Sequence, residues 1–150
     1  MTVENEVIRE RRADSHQKIQ SLVTARTKTL SLYSRFASLQ PFNERKDMAG
    51  KLQRFCQALI DYTASAHFTL YKYIDENKER RKNVIDVAHE VYPCIVESTQ
   101  VILDFNDKYD SETHCEDLSG LAADLSGLGE ALADRIEMED RLIDALTRRR

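Results

Sequence analysis

The sequence predicts an all-α protein, an antiparallel up-down four-helix bundle, and three observations lead to this prediction. The 150 residues include two prolines and four glycines, so few positions interrupt a helix. Apolar residues recur at helical spacing in four long segments, which short polar connections separate. No long segment alternates Val, Ile or Thr with polar residues, as a half-buried strand would. Long helices joined by short connections pack as antiparallel neighbours.

The first predicted helix runs from Ser15 to Leu39 and follows a charged N-terminal extension. We divide the chain into this extension, residues 1–14, and a bundle domain, residues 15–150. The extension fits either a helical continuation or a disordered arm. The apolar stripe of the first helix consists of Ile19, Leu22, Val23, Leu30, Tyr33 and Ala37 and also includes Arg26.

The second predicted helix begins after Asp47, a candidate N-cap, and ends at about Asp75 or Glu76. Its core stripe consists of Leu52, Phe55, Cys56, Leu59, Thr63, Ala66, Leu70 and Ile74.

The third predicted helix has a clear apolar stripe that contains a proline. The stripe consists of Val84, Val87, Ala88, Val91, Ile95, Thr99, Ile102 and Phe105. Because proline lacks a backbone donor and clashes with the preceding turn, Pro93 predicts a kink or a break near Val91–Tyr92.

The fourth predicted helix, Leu118 to Leu146, contains three glycines near its start. Gly120, Gly127 and Gly129 each weaken a helix by about 1 kcal/mol relative to alanine, but small residues also permit close helix approach.

Phe68 marks a second apolar face on the second helix. It projects about 180° from the core stripe, on the side of Gln57, Asp61 and Ala64, with Tyr71 at the edge. A large aromatic beside a small residue and a carboxylate is typical of a protein contact patch, so we expect these five residues to bind a partner. The alternative is that the second helix packs within the monomer on both sides.

Two charged residues lie on the apolar stripes of different helices. Arg26 is central on the first helix and Glu139 lies on the fourth. We expect an ion pair between the helices, either with Glu139 or with another acid of the fourth helix. The alternative is that one of the two charges reaches water at the end of the bundle.

The charge distribution is asymmetric. Residues 1–96 have 16 Lys and Arg against 12 Asp and Glu, whereas residues 97–150 have 6 against 14. An acidic half argues against general nucleic-acid binding and suits a basic protein partner. A solvated acidic surface that aids solubility is the alternative.

We expect no metal, no cofactor and no enzymatic activity. Asp86-x-x-His89 is the sole approach to a Glu-x-x-His metal motif, and we expect His67 to be a half-buried structural histidine. The three cysteines lack zinc spacing, and no phosphate-binding glycine loop or nucleophile elbow occurs. The composition also predicts a cytoplasmic chain without a membrane span.

Several ordered clusters along the chain are similar to one family. They are Phe55-Cys56-Gln57 and Leu59 to Tyr62, followed by His67-Phe68 and Tyr71; Arg26, Leu30, Tyr33 and Pro41; Pro93, Thr99-Gln100 and Asp104 through Asp107; and Gly129 to Leu132, Arg135, Glu139-Asp140 and Leu142-Ile143. From about Ile19 to Leu146 the chain resembles the regulator of sigma D (Rsd/AlgQ) family of bacterial anti-sigma factors. Unlike family members with Ser-Ala-Gly before the His-Phe pair, it has Ala64-Ser65-Ala66, so Ala64 lacks an interface hydroxyl. The family's tryptophan near Leu22 is also missing.

The resemblance implies a four-helix bundle that binds region 4 of the primary sigma factor of RNA polymerase, and we expect the free protein to be a monomer. Binding of this basic helix-turn-helix region would hinder promoter recognition, and the chain itself would contact neither nucleic acid nor membrane. Two other functions remain open: a small-molecule or metal-binding helical bundle, and an adaptor for another regulatory protein.

Overall fold

The computed structural model describes residues 3–40, 48–72, 80–110 and 119–147, which form four long helices and one π-helical turn. The helices are α1 (Val3–Ala37), α2 (Met48–Ala66), α3 (Lys82–Tyr109) and α4 (Leu121–Thr147), and the π turn (His67–Tyr71) follows α2 directly. These ranges contain no strand, so the all-α prediction is confirmed.

Helix α1 starts earlier than the apolar pattern predicted. Its backbone is helical from Val3, not from Ser15, because a charged segment forms a helix without showing an apolar stripe. The division of the chain after residue 14 stays a prediction. The candidate N-cap Asp47 lies outside the described residues.

Helix α3 is continuous from Lys82 to Tyr109, so the predicted break at Pro93 is wrong. Proline has no N–H group, so one backbone carbonyl oxygen of the preceding turn lacks its usual donor. Because Pro93 is exposed, water can donate to that oxygen instead. A kink at this position stays a prediction.

Neighbouring helices contact each other in reversed order along the chain. Thr29 Oγ1 donates to the Ala58 carbonyl oxygen at 3.2 Å, whereas Tyr33, further along α1, contacts Phe55, which lies earlier in α2. The same reversal relates α2 to α3, α3 to α4 and α4 to α1. Each of these pairs is therefore antiparallel.

One apolar core joins the four helices. Its most completely buried large side chains are Leu22, Leu52, Phe55, Leu59, Tyr62, Ile102, Tyr109, Leu121, Leu125, Leu128 and Leu132. The rings of Phe55 and Phe105 meet edge to face with centroids 5.9 Å apart, which links α2 to α3.

Gly129 allows α1 and α4 to approach closely. A Cβ atom at this position would clash with the hydroxyl of Tyr33. That hydroxyl donates to the Leu125 carbonyl oxygen at 2.8 Å and so ties the two helices together. Glycine at this position is therefore explained by close helix contact.

Candidate protein-binding face

The outer side of α2 and of the π turn presents four of the five predicted patch residues to solvent. Gln57, Asp61, Ala64 and Phe68 are all exposed, because spacings of four, three and four residues keep them on one side of a helix. Phe68 is 59% exposed, and the Gln57 amide donates to the Asp61 carboxylate at 2.9 Å. The amide thus holds the carboxylate in a defined position.

Tyr71, the fifth predicted patch residue, is buried, and its expected exposure is wrong. In the π turn the Lys72 amide donates to the His67 carbonyl oxygen five residues back, so the turn contains an additional residue. One additional residue rotates the rest of the helix by about 100°, which moves Tyr71 from the edge of the outer side to the core. His67, expected to be half-buried, is exposed beside Phe68.

Helix α3 adds exposed apolar side chains that the sequence reasoning missed. Tyr92, Val96 and Leu103 are 48%, 49% and 41% exposed, and their spacing places them on one stripe. Glu90 and Lys108, which contact α4, lie about 120–160° around the helix, so the stripe faces away from α4. The sequence signal that could have identified these residues is a second set of apolar residues at helical spacing beside the core stripe.

The two exposed sets lie at the same level of the molecule. Because α2 and α3 are antiparallel with Cys56 beside Tyr109, Leu103 is level with Asp61 and Val96 is level with Phe68. We refer to Gln57, Asp61 and Ala64 of α2 and Phe68 of the π turn, together with Tyr92, Val96 and Leu103 of α3, as the α2–α3 face. It combines apolar side chains with a carboxylate, as a protein contact does.

The exposed surface of α3 and α4 is acidic. Its exposed carboxylates are Asp86, Glu90, Glu97, Asp104, Asp107, Glu130, Asp134, Glu137, Asp140 and Asp144. Lys108 and Arg141 on the same helices are paired with Asp124 and Glu90 respectively. Hydrogen bonds from Lys108 and Tyr109 lower the pKa of Asp124. The net field here attracts a positively charged partner.

Glu139 is fully buried at the centre of an ionic cluster. Its Oε1 accepts a hydrogen bond from the Tyr62 hydroxyl at 2.5 Å, and its Oε2 accepts one from Arg135 Nε at 3.0 Å. The Arg135 guanidinium also donates to Thr99 Oγ1 at 2.8 Å and to Ser98 Oγ at 3.2 Å. Burial, and then the negative charge of Glu139, raise the pKa of Tyr62. We refer to Glu139, Arg135, Tyr62 and Arg26 as the Glu139 cluster.

Arg26 reaches two acids of α4. Its Nη1 lies 3.6 Å from Glu139 Oε1 and donates to Asp140 Oδ1 at 2.9 Å. The sequence paired Arg26 with Glu139 and left another α4 acid as the alternative, and the structure places it against both. Arg135 lies nearer to Glu139 than Arg26 does. The sequence did not predict that Arg135 is buried.

Tyr71 contrasts with Tyr62 in this interior. Within the described residues its hydroxyl is buried without a hydrogen-bond partner. Burial raises the pKa of Tyr71, and the charge of Glu139 adds to this effect.

Neither a metal cluster nor a membrane span occurs in the described part of the chain. There, no three His, Cys, Asp or Glu side chains come together as a metal site requires. None of the described helices holds an apolar stretch sufficient to cross a bilayer.

Comparison with known proteins places the chain in a family of transcription regulators. The sequence model of the family described as regulator of RNA polymerase sigma(70) subunit, Rsd/AlgQ, matches residues 1–147, and the chain belongs to this family. A regulator of sigma D from Yersinia pseudotuberculosis is 30% identical over 142 residues, covering 92% of this chain and 84% of that protein. The regulator of sigma D from Enterobacter sp. (strain 638) is also 30% identical, with 92% and 85% covered. No solved structure matches the chain.

Proposed function

We propose that this chain is an antiparallel up-down four-helix bundle that acts as an anti-sigma factor. It binds region 4 of the primary sigma factor and so hinders the use of that factor by RNA polymerase. It acts as a stoichiometric inhibitor without catalysis, and the α2–α3 face is the contact surface.

Family membership supports the general function, and the helix contacts support the architecture. The family is described as regulating the sigma(70) subunit, and the relatives are named regulators of sigma D. The reversed order of contacts between neighbouring helices is that of an up-down bundle.

The exposed ring of Phe68 is the observation that carries the assignment of the contact surface. A phenylalanine that is 59% exposed leaves apolar area in water, and Val96 and Tyr92 expose further apolar area on α3. Central aromatic anchors contribute most of the binding energy in protein interfaces. Such an anchor, with Asp61 beside it, fits an apolar and basic partner surface.

Charge supports the choice of a basic partner. Region 4, as the family resemblance implies, is a positively charged helix-turn-helix that contacts promoter DNA. The acidic surfaces of α3 and α4 would attract it and speed encounter, while the apolar residues supply affinity. Asp61 supplies a charge within the face itself.

Phe68→Ala and Asp61→Lys test this assignment. Removing the ring should cost about 2 kcal/mol of binding free energy, or about 30-fold in Kd for purified sigma region 4. Asp61→Lys should abolish binding, because it places a positive charge against a basic surface. Calorimetric titration of each variant measures the change, and circular dichroism checks that the helices remain folded.

Val7→Ala is the matched control, because Val7 is an exposed apolar residue of α1 outside the α2–α3 face. It should bind as the parent does. If Phe68→Ala and Asp61→Lys also bind as the parent does, the contact surface is wrong.

In a pull-down from bacterial lysate the sigma subunit should dominate, and another dominant protein would favour the adaptor function.

A further inference from the structure

A hollow of about 470 Å³ opens on the other side of Phe68, between α1 and the π turn. It is lined by Gln17, Lys18, Ser21, Ser65, Phe68, Thr69 and Lys72. Its volume lies within the range of about 300–1,000 Å³ that is usual for small-molecule sites.

The described lining of this hollow is basic in a chain whose net charge is −4. It contains two lysines, Lys18 and Lys72, and no carboxylate among the described residues. Serine and threonine hydroxyls and the Gln17 amide add uncharged hydrogen-bond donors. Ammonium groups with several donors around them suit a ligand that has many anionic oxygen atoms, as a phosphate chain does.

Phe68 forms an apolar wall beside these donors. Its ring is largely exposed, and Lys72 Nζ lies 5.6 Å from the ring centroid. A planar base stacks on an aromatic ring irrespective of its hydrogen-bonding pattern, and the ammonium of Lys72, which lies over the ring, provides a positive charge for the attached phosphates. A ligand with both a planar base and phosphates satisfies both halves of the hollow.

We propose that this hollow binds a nucleotide, with its phosphates held by Lys18 and Lys72 and its base against Phe68. Phe68 also belongs to the α2–α3 face, so a bound nucleotide competes with the protein partner for this ring. Nucleotide binding stands on the hollow alone, whereas the competition rests on the proposed function.

The test is a titration of the full chain with ATP, adenosine and inorganic triphosphate, followed by amide chemical shifts in NMR spectra. ATP should bind saturably and shift the amides of residues 17–21 and 65–72. Adenosine and triphosphate should each bind at least tenfold more weakly, because each offers one half of the ligand. Absence of saturation by millimolar ATP, or equal binding of triphosphate, would overturn the nucleotide site.

Lysine variants locate the site. The double variant Lys18→Glu, Lys72→Glu should weaken ATP binding at least tenfold. Lys51→Glu, Lys82→Glu changes two exposed lysines outside the hollow and should leave ATP binding unchanged. Equal weakening by the two pairs would show general charge attraction and refute the site.

Competition is measured separately by titrating sigma region 4 with and without saturating ATP. The apparent Kd for sigma region 4 should rise by a factor of one plus the ratio of the ATP concentration to the dissociation constant of ATP. If ATP binds but leaves this Kd unchanged, the competition is wrong and the nucleotide site stands. If the chain binds ATP but never binds sigma region 4, the proposed function fails and the competition fails with it.

Discussion

Asp61 and Tyr62 are neighbours in sequence but belong to opposite regions of the molecule. Asp61 is exposed on the α2–α3 face, where a glutamine amide is its partner. Tyr62 is fully buried and donates to Glu139, whose carboxylate also meets Arg135. The two carboxylates therefore differ in role: that of Glu139 is committed to the fold, whereas that of Asp61 remains available to a partner.

The two regions differ in how much stability is lost when a charged group loses its partner. A buried charge without compensation destabilises a protein by several kcal/mol, whereas an exposed charge is compensated by water. Substitutions in the Glu139 cluster should therefore change folding, and substitutions on the α2–α3 face should change binding.

The largest expected effect is that of Glu139→Ala. It leaves the Arg135 guanidinium buried without its carboxylate and should lower the free energy of unfolding by about 3–5 kcal/mol. Urea denaturation measures this change. The matched control Asp61→Ala should stay within about 0.5 kcal/mol of the parent. Equal losses in the two variants would contradict the distinction between the regions.

Two tyrosine variants sharpen the comparison within the interior. Tyr62→Phe removes a donor to Glu139 and should cost about 1–3 kcal/mol of unfolding free energy. Tyr71→Phe removes a hydroxyl that has no partner in the described structure, so its stability should equal or slightly exceed that of the parent. Denaturation midpoints of the pair provide the measurement, and a larger loss for Tyr71→Phe would contradict the hydrogen-bond assignment.

The smallest expected effect concerns the rim of the α2–α3 face. Leu103→Ala should weaken binding of sigma region 4 by about 1 kcal/mol, or about fivefold in Kd, with stability within about 0.5 kcal/mol of the parent. This is less than the effect of Phe68→Ala because Leu103 is less exposed and smaller than the ring. An unchanged Kd would exclude Leu103 from the contact surface.

Helical periodicity predicted α2 and α3 well because their buried residues are mostly apolar. On α3 the predicted stripe includes Val84, Val91, Ile95, Ile102 and Phe105, all of which are buried. The same pattern predicted the buried residues of α1 poorly. One of the predicted stripe residues, Leu22, is fully buried, and the buried residues Thr29 and Phe36 were not predicted. The first half of α1 is polar and shows no stripe.

Polar residues in apolar positions limit this kind of prediction. Arg135 continues the spacing of Leu128 and Leu132 and is 1% exposed. Arginine is usually at the surface, so the residue type argues against its burial unless the position of a charged partner is also known. Glu139, one turn further, was identified on the stripe, but its pairing with Arg135 requires the packed structure.

The α2–α3 face was predicted in part for a related reason. Gln57, Asp61, Ala64 and Phe68 follow from an ordinary α-helix, and the structure exposes all four. Their role in binding stays a prediction. The displacement of Tyr71 results from a local change of hydrogen bonding that no residue pattern in this segment announces.

The π turn also divides α2 and its continuation into two helical lattices that are out of phase. Residues before His67 and the last described residues of this segment, Tyr71 and Lys72, cannot be projected on one helical wheel, because the angular origin changes between them. Deleting one residue within the turn would remove the additional residue, restore a common phase and leave Tyr71 on the core side. A single-residue deletion at this point would therefore preserve the core, whereas the same deletion elsewhere in α2 would rotate the core side chains on its two sides by about 100° relative to each other.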